Sequence, residues 1–141
     1  MSTRETDPEE ELRVLIQKVA RRIRAERAGE GISDSQLGVL WRLESEGRCT
    51  PGGLARAEKV SAPAMTRTLN ALEASLLVQR EPSNDDARKV WVTLTPAGES
   101  VIAETRRLRQ QWFHAQLAAL TPSERDALEG VRSILRRLAD A

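Results

Sequence analysis

Tyrosine is absent from the 141 residues, phenylalanine and histidine occur once each, and aromatics make up only 3% of the chain. A core short of large rings, built from Leu, Val, Ile and Ala, favours packed helices over an extended sheet. The lone cysteine, Cys49, excludes an intrachain disulfide framework. Together with His114 it falls short of the Cys- and His-rich set that a zinc site needs, and no acidic run has calcium-loop spacing, so neither metal nor cofactor is expected. Gly52 and Gly53 follow Thr50 without the spacing of a phosphate loop. No nucleophile, base and orienting group can be assembled, which argues against an enzyme. No apolar run approaches membrane-spanning length, and the start MSTRETDPEEE is unlike a targeting signal. A cytoplasmic protein with no membrane partner is expected. Neither sign of charge dominates: 22 basic against 21 acidic side chains leave a net +1. That lacks the strong field of an indiscriminate nucleic-acid binder, so any DNA contact must come from local placement of Arg and Lys.

What is present is a succession of amphipathic segments with strong end signals. Leu12, Ile16, Val19 and Ile23 recur at helical spacing after the acids Glu9 to Glu11, and Gly29 and Gly31 are expected to stop that helix. Ser33 and Gln36 form a capping box for a second helix whose apolar side is Leu37, Leu40, Trp41 and Leu43. Cys49 lies in a linker that suits a short edge strand. Thr50-Pro51 caps a third helix and Ser61 a fourth, with Pro63 tolerated in its first turn and Val60 and Met65 placed for a hydrophobic staple. Met65, Leu69 and Leu72 point inward.

The opposite face of that fourth helix bears Ala62, Ala64, Thr66, Arg67 and Asn70. Small side chains let a helix approach base edges, Thr, Asn and Arg offer hydrogen bonds, and alanine can touch thymine methyls; any solvated helix can also look this way. A strand then leads through the turn cluster Pro82 to Asp86 into the alternating run Lys89 to Thr95, with Val90, Val92 and Leu94 on one side and Trp91 and Thr93 on the other. Arg80, Arg88 and Lys89 bring positive charge to this hairpin, and one of Asp85 and Asp86 is expected to orient an arginine or the turn backbone. Thr95-Pro96 opens a long helix to about Ala118, and Thr121-Pro122-Ser123-Glu124 caps the last one. The outer helices need apolar cover, either from a second copy of the chain or by closing on their own monomer.

The ordered set Leu54-Ala55, Ser61, Thr66-Arg67, Leu72-Glu73, Leu77-Val78-Gln79-Arg80, Asp86-Ala87-Arg88 and Leu94-Thr95-Pro96-Ala97-Gly98 resembles the MarR family of bacterial transcription regulators. The resemblance covers nearly the whole chain. It implies a mainly α fold, a winged helix-turn-helix with a small β wing and N- and C-terminal dimerisation helices. Residues 1–141 would form one such domain, with 9–30 and 96–141 for dimerisation and 33–95 for DNA. It further implies a homodimeric repressor on pseudo-palindromic double-stranded DNA, released by a small aromatic or phenolic ligand. The helix from Ser61 to about Ala74 would read the major groove and Arg88, assisted by Lys89, would anchor the wing, with Asp86 in the wing motif and Arg56 and Lys59 near the backbone. Trp41, Trp112 and His114 are the ligand-binding candidates, with packing as their alternative role. Two positions depart from the family pattern. Ala87 replaces a wing arginine, and Leu76 replaces the glycine usual after the recognition helix, where a leucine resists positive φ. A ligand-binding or protein-interaction module with weakened DNA recognition would fit Ala87 and the low net charge.

Overall fold

The computed structural model describes residues 7–141. The chain divides into two compact units, Arg24–Leu108 and a second made of the residues up to Ile23 with Arg109–Ala141. Among the described residues, six helices and three strands follow in the order α1 (Pro8–Ala25), α2 (Asp34–Glu46), β1 (Arg48–Cys49), α3 (Pro51–Ala57), α4 (Ala62–Ala74), β2 (Val78–Pro82), β3 (Val90–Leu94), α5 (Pro96–Ala118) and α6 (Pro122–Ala139). The fold is mainly helical with one small antiparallel sheet of order β1-β3-β2.

In the central unit the apolar periodicity closes one core. Leu37, Leu40 and Leu43 of α2, Leu54 of α3, Leu69 and Leu72 of α4, Val78, Val92 and Ile102 are all essentially inaccessible. Each such aliphatic side chain contributes about 1.5–3 kcal/mol of burial. The edge strand at Cys49 forms as expected, pairing Arg48 with Thr93 and Cys49 with Val92. Side-chain caps set the helix starts: Ser33, Thr50 and Ser61 accept from the backbone N–H groups of Gln36, Gly53 and Ala64.

Three details differ from the periodic reading. Helix α1 ends at Ala25 instead of running to Gly29, because the Ala28 N–H donates to the buried Thr105 hydroxyl at 3.0 Å. Arg27 turns to Asp34 at 2.6 Å, and Gly29 and Gly31 carry the turn at positive φ. Val39 is buried in α2 as well, while Trp41 packs against the core half-buried, beneath the guanidinium of Arg106 at 5.1 Å from the ring centroid. Val90 is exposed, since the tip of β3 extends past the core that Val92 enters.

In the second unit no residue of α1 or α6 is buried. Leu12, Ile16 and Val19 on α1 and Leu128, Ile134, Leu135 and Leu138 on α6 all remain exposed in the single chain. Thr121 and Glu124 form the expected capping box at the start of α6.

Candidate nucleic-acid interface

Helix α4 is presented by its own ends. Ser61 accepts the Ala64 N–H at 3.2 Å, so its hydroxyl proton stays free to donate outward. The helix N-terminus also brings a partial positive charge toward any approaching phosphate. At the far end Leu76 adopts φ 61, its N–H donating to Glu73 O and that of Leu77 to Leu72 O. This pairing is the Schellman stop that glycine normally serves, here made with a leucine. The same stop ends α3, where Lys59 sits at φ 55 and the Val60 N–H reaches Ala55 O.

The Leu76 turn is latched from α5. The Thr95 hydroxyl donates to Leu76 O at 2.5 Å and accepts the Gly98 N–H at 3.1 Å, while the Thr95 N–H donates to Leu77 O at 3.1 Å. Gly98 is required here because a Cβ on it would lie 2.2 Å from Leu77 O. The Leu-Thr-Pro-Ala-Gly motif is therefore the joint that sets the base of the wing against the end of α4.

With Met65, Leu69 and Leu72 buried, α4 leaves Ala62, Thr66, Arg67 and Asn70 exposed and Ala64 half-buried, as the sequence pattern implies. The Thr66 hydroxyl donates to Ala62 O at 3.0 Å, which leaves its methyl and its acceptor lone pairs outward. Asn70 is tied by its amide oxygen to Arg80 of β2 at 3.1 Å. Sequence periodicity carries no signal for that contact, since the partners lie on different elements.

β2 and β3 form the wing, registered from Val78–Leu94 to Pro82–Val90. Its tip is closed by backbone bonds from Ser83 to Lys89 O and from Lys89 to Asp86 O. The Ser83 hydroxyl accepts from the N–H groups of Asp85 and Asp86, and the Asp86 carboxylate accepts the Arg88 N–H at 3.0 Å. Asp86 thus organises the turn backbone, the role expected for one of the two acids. Among the described residues the exposed Arg88 guanidinium has no hydrogen-bond or ion-pair partner, whereas the Lys89 ammonium lies 5.6 Å from the Trp91 ring centroid. The same ring is braced by Arg48 of β1, 4.2 Å from its centroid.

Charge pairing separates these cations from others in the unit. Arg27, Arg42, Arg80, Arg106 and Arg107 each have a carboxylate partner. Among the described residues, Arg56, Lys59, Arg67 and Arg88 have no side-chain ion pair and are exposed. A net charge near zero is thereby compatible with local positive potential on α3, α4 and the wing.

The ligand-binding candidates are not gathered in one unit. Trp41 belongs to the central unit, while Trp112, half-buried with Arg22 4.9 Å from its centroid, and the exposed His114 belong to the other. A surface cleft of about 410 Å³ lined by Leu43, Glu44, Gly47, Thr93, Leu94 and Glu99 includes none of them. Cys49 is buried and donates to Glu46 at 3.3 Å; burial first, then that bond, pushes its thiol up to about 11. No group of three or more His, Cys, Asp or Glu side chains suited to a metal ion occurs among the described residues, nor does a helix long and apolar enough to cross a membrane.

Helix, turn, helix and wing, with an exposed polar face on the second helix, define a winged helix-turn-helix DNA-binding protein. The MarR family model matches residues 32–90. A helix-turn-helix-type transcriptional regulator of Mycobacterium tuberculosis is 35% identical over 130 residues, 92% of this chain and 91% of that one. The transcriptional repressor MprA of Escherichia coli is 30% identical over 112 residues, 77% of this chain and 64% of that one. In structure, a mutant of MarR from E. coli superposes with a TM-score of 0.74 at 26% identity, covering 94% of this chain and 96% of that one. The chain belongs to the MarR family and is a DNA-binding transcriptional regulator.

Proposed function

We propose that the protein is a homodimeric repressor of pseudo-palindromic operators in the cytoplasm, released by a small aromatic or phenolic ligand. The observation that carries this reading is the division of surfaces within one chain. The polar face of α4 and the unpaired Arg67 and Arg88 lie open in the central unit, while the apolar stripes of α1 and α6 lie uncovered in the other. Exposed stripes of that length are interaction surfaces, and a second copy supplies matching ones under twofold symmetry. Residues 9–30 and 96–141 would thus serve dimerisation, although 24–30 and 96–108 belong to the central unit; residues 33–95 would serve DNA. The twofold places two α4 helices in successive major grooves, about 34 Å apart. Repression has the support of MprA, a relative named as a repressor.

On this reading Ala62, Ala64, Thr66, Arg67 and Asn70 face base edges, Ser61, Arg56 and Lys59 hold phosphates, and Arg88 enters the minor groove with Lys89 beside it. Asp86 acts through the backbone of Arg88. A ligand touching Trp41, or Trp112 and His114, releases the operator only if it binds better to a dimer whose recognition helices are wrongly spaced, and DNA must weaken the ligand equally. The test is selection of bound fragments from the source genome, followed by salt-dependent shift assays. Arg88→Ala is expected to lower affinity for the selected operator and to reduce the slope of log affinity against log salt by about one per protomer, about two for the dimer. Unchanged affinity and slope would remove Arg88 from the interface.

A further inference from the structure

We propose that Arg80 is a specificity-positioning residue that dictates which base edge Asn70 can read; this rests on α4 being the recognition helix. Arg80 lies on β2, and its guanidinium donates to Asn70 Oδ1 at 3.1 Å while a second nitrogen lies 3.5 Å from Glu73 Oε2. Two side chains one turn apart on α4 therefore hold one guanidinium plane. Arginine offers donors and no acceptor, so only the amide oxygen of Asn70 can face it. Chemistry fixes the amide orientation, with the oxygen turned to Arg80 and the Nδ2 hydrogens left for another partner.

An unrestrained asparagine distinguishes adenine by two bonds at once, accepting from N6 and donating to N7. Here the accepting half is already engaged by a cation. The oxygen keeps a second lone pair, but a base amino group reaching it must come in beside the guanidinium charge, donor against donor. Asn70 is thereby biased toward donating. Its partners are acceptor edges, N7 and O6 of guanine, N7 of adenine and O4 of thymine, whereas cytosine shows only its amino donor. At the base that Asn70 itself contacts, cytosine is disfavoured and adenine loses the advantage that asparagine normally confers.

The experiment is enrichment of bound duplexes from a randomised pool with the full-length chain and its variants, each confirmed as folded by thermal melting. Asn70→Ala identifies the position concerned by flattening its base preference. Arg80→Met lowers affinity across all sequences and raises adenine enrichment at that position by roughly five- to tenfold, the worth of one added hydrogen bond. Arg80→Lys, which retains a donor, keeps the wild-type profile, and Asn70→Ala combined with Arg80→Met shows no adenine gain. An unchanged profile in Arg80→Met, or an adenine gain that survives loss of Asn70, overturns the assignment while sequence-specific binding stands. A wild-type chain that enriches no sequence would instead reject the recognition-helix reading itself.

Discussion

Replacing Gly98 with alanine tests whether the joint between α4 and the wing depends on close backbone approach. The added Cβ would meet Leu77 O at 2.2 Å, the Leu77 carbonyl carbon at 3.1 Å and Leu94 Cδ2 at 3.2 Å. An ordinary carbon–oxygen contact requires about 1 Å more, and the first obstacle is backbone, which cannot swing aside as a side chain can. Moving α5 outward weakens the Thr95 bonds to Leu76 O and Leu77 O, each worth about 1 kcal/mol. Overpacking adds about 1–3 kcal/mol. Against this, alanine in place of helical glycine gains at most about 1 kcal/mol. The balance is a loss of about 2–4 kcal/mol, or a melting shift of roughly 7–14 °C for a chain of this size. Gly130, in mid-α6, is the internal control, because a Cβ placed there would have nothing within 4 Å and Gly130→Ala should be neutral or stabilising. Urea unfolding at fixed protein concentration reads both variants. If Gly98→Ala stayed within about 0.5 kcal/mol of the parent, the joint would not depend on close backbone approach at this position.

Leu76 at φ 61 gives a second backbone test. Leu76→Gly should be more stable than Leu76→Ala by about 0.5–1 kcal/mol, the reverse of the order inside a helix, and equal stabilities would contradict the left-handed cap. For Cys49 the sign follows from a folded pKa of about 11 above an ordinary thiol. The unfolded thiol ionises first, so stability contributed by the protonated form is present at neutral pH and lost as pH rises through roughly 9 to 11. At pH 8 thiol labelling of the native protein should therefore be slow and become stoichiometric in denaturant; rapid native labelling would show an accessible thiolate. Ile16→Glu places a charge in the exposed stripe of α1 and should shift sedimentation toward monomer at micromolar concentration; an unchanged assembly would exclude that stripe from the interface.

Much of the fold was legible in the chain because the physical causes are local. A cap needs one oxygen three residues from an N–H, so Ser33, Thr50, Ser61 and Thr121 announced their helices. Burial of Met65, Leu69 and Leu72 followed from helical period alone, and it left Thr66, Arg67 and Asn70 outside. The ordered motifs of residues 54–98 likewise carried the family and the DNA-binding class. Other features rest on partners far along the chain. Helix α1 stops at Ala25 because Thr105, 77 residues beyond Ala28, takes its N–H. Val39 joins the core beside Trp41, which packs against it from beneath Arg106, and Val90 is exposed because the core does not reach the wing tip. Leu76 was visible as an oddity, but its left-handed backbone and the Thr95 latch exist only once α5 returns to the end of α4. The free guanidinium of Arg88 and the engaged oxygen of Asn70 were equally beyond periodicity, since a side chain's partner is decided by which elements the fold brings within 3 Å or so of it. The helices, their apolar faces and the regulator class thus follow from the order of residues along the chain. Which polar groups remain available to DNA is settled only by the folded arrangement, because availability is what is left after distant parts of the chain have taken their hydrogen bonds.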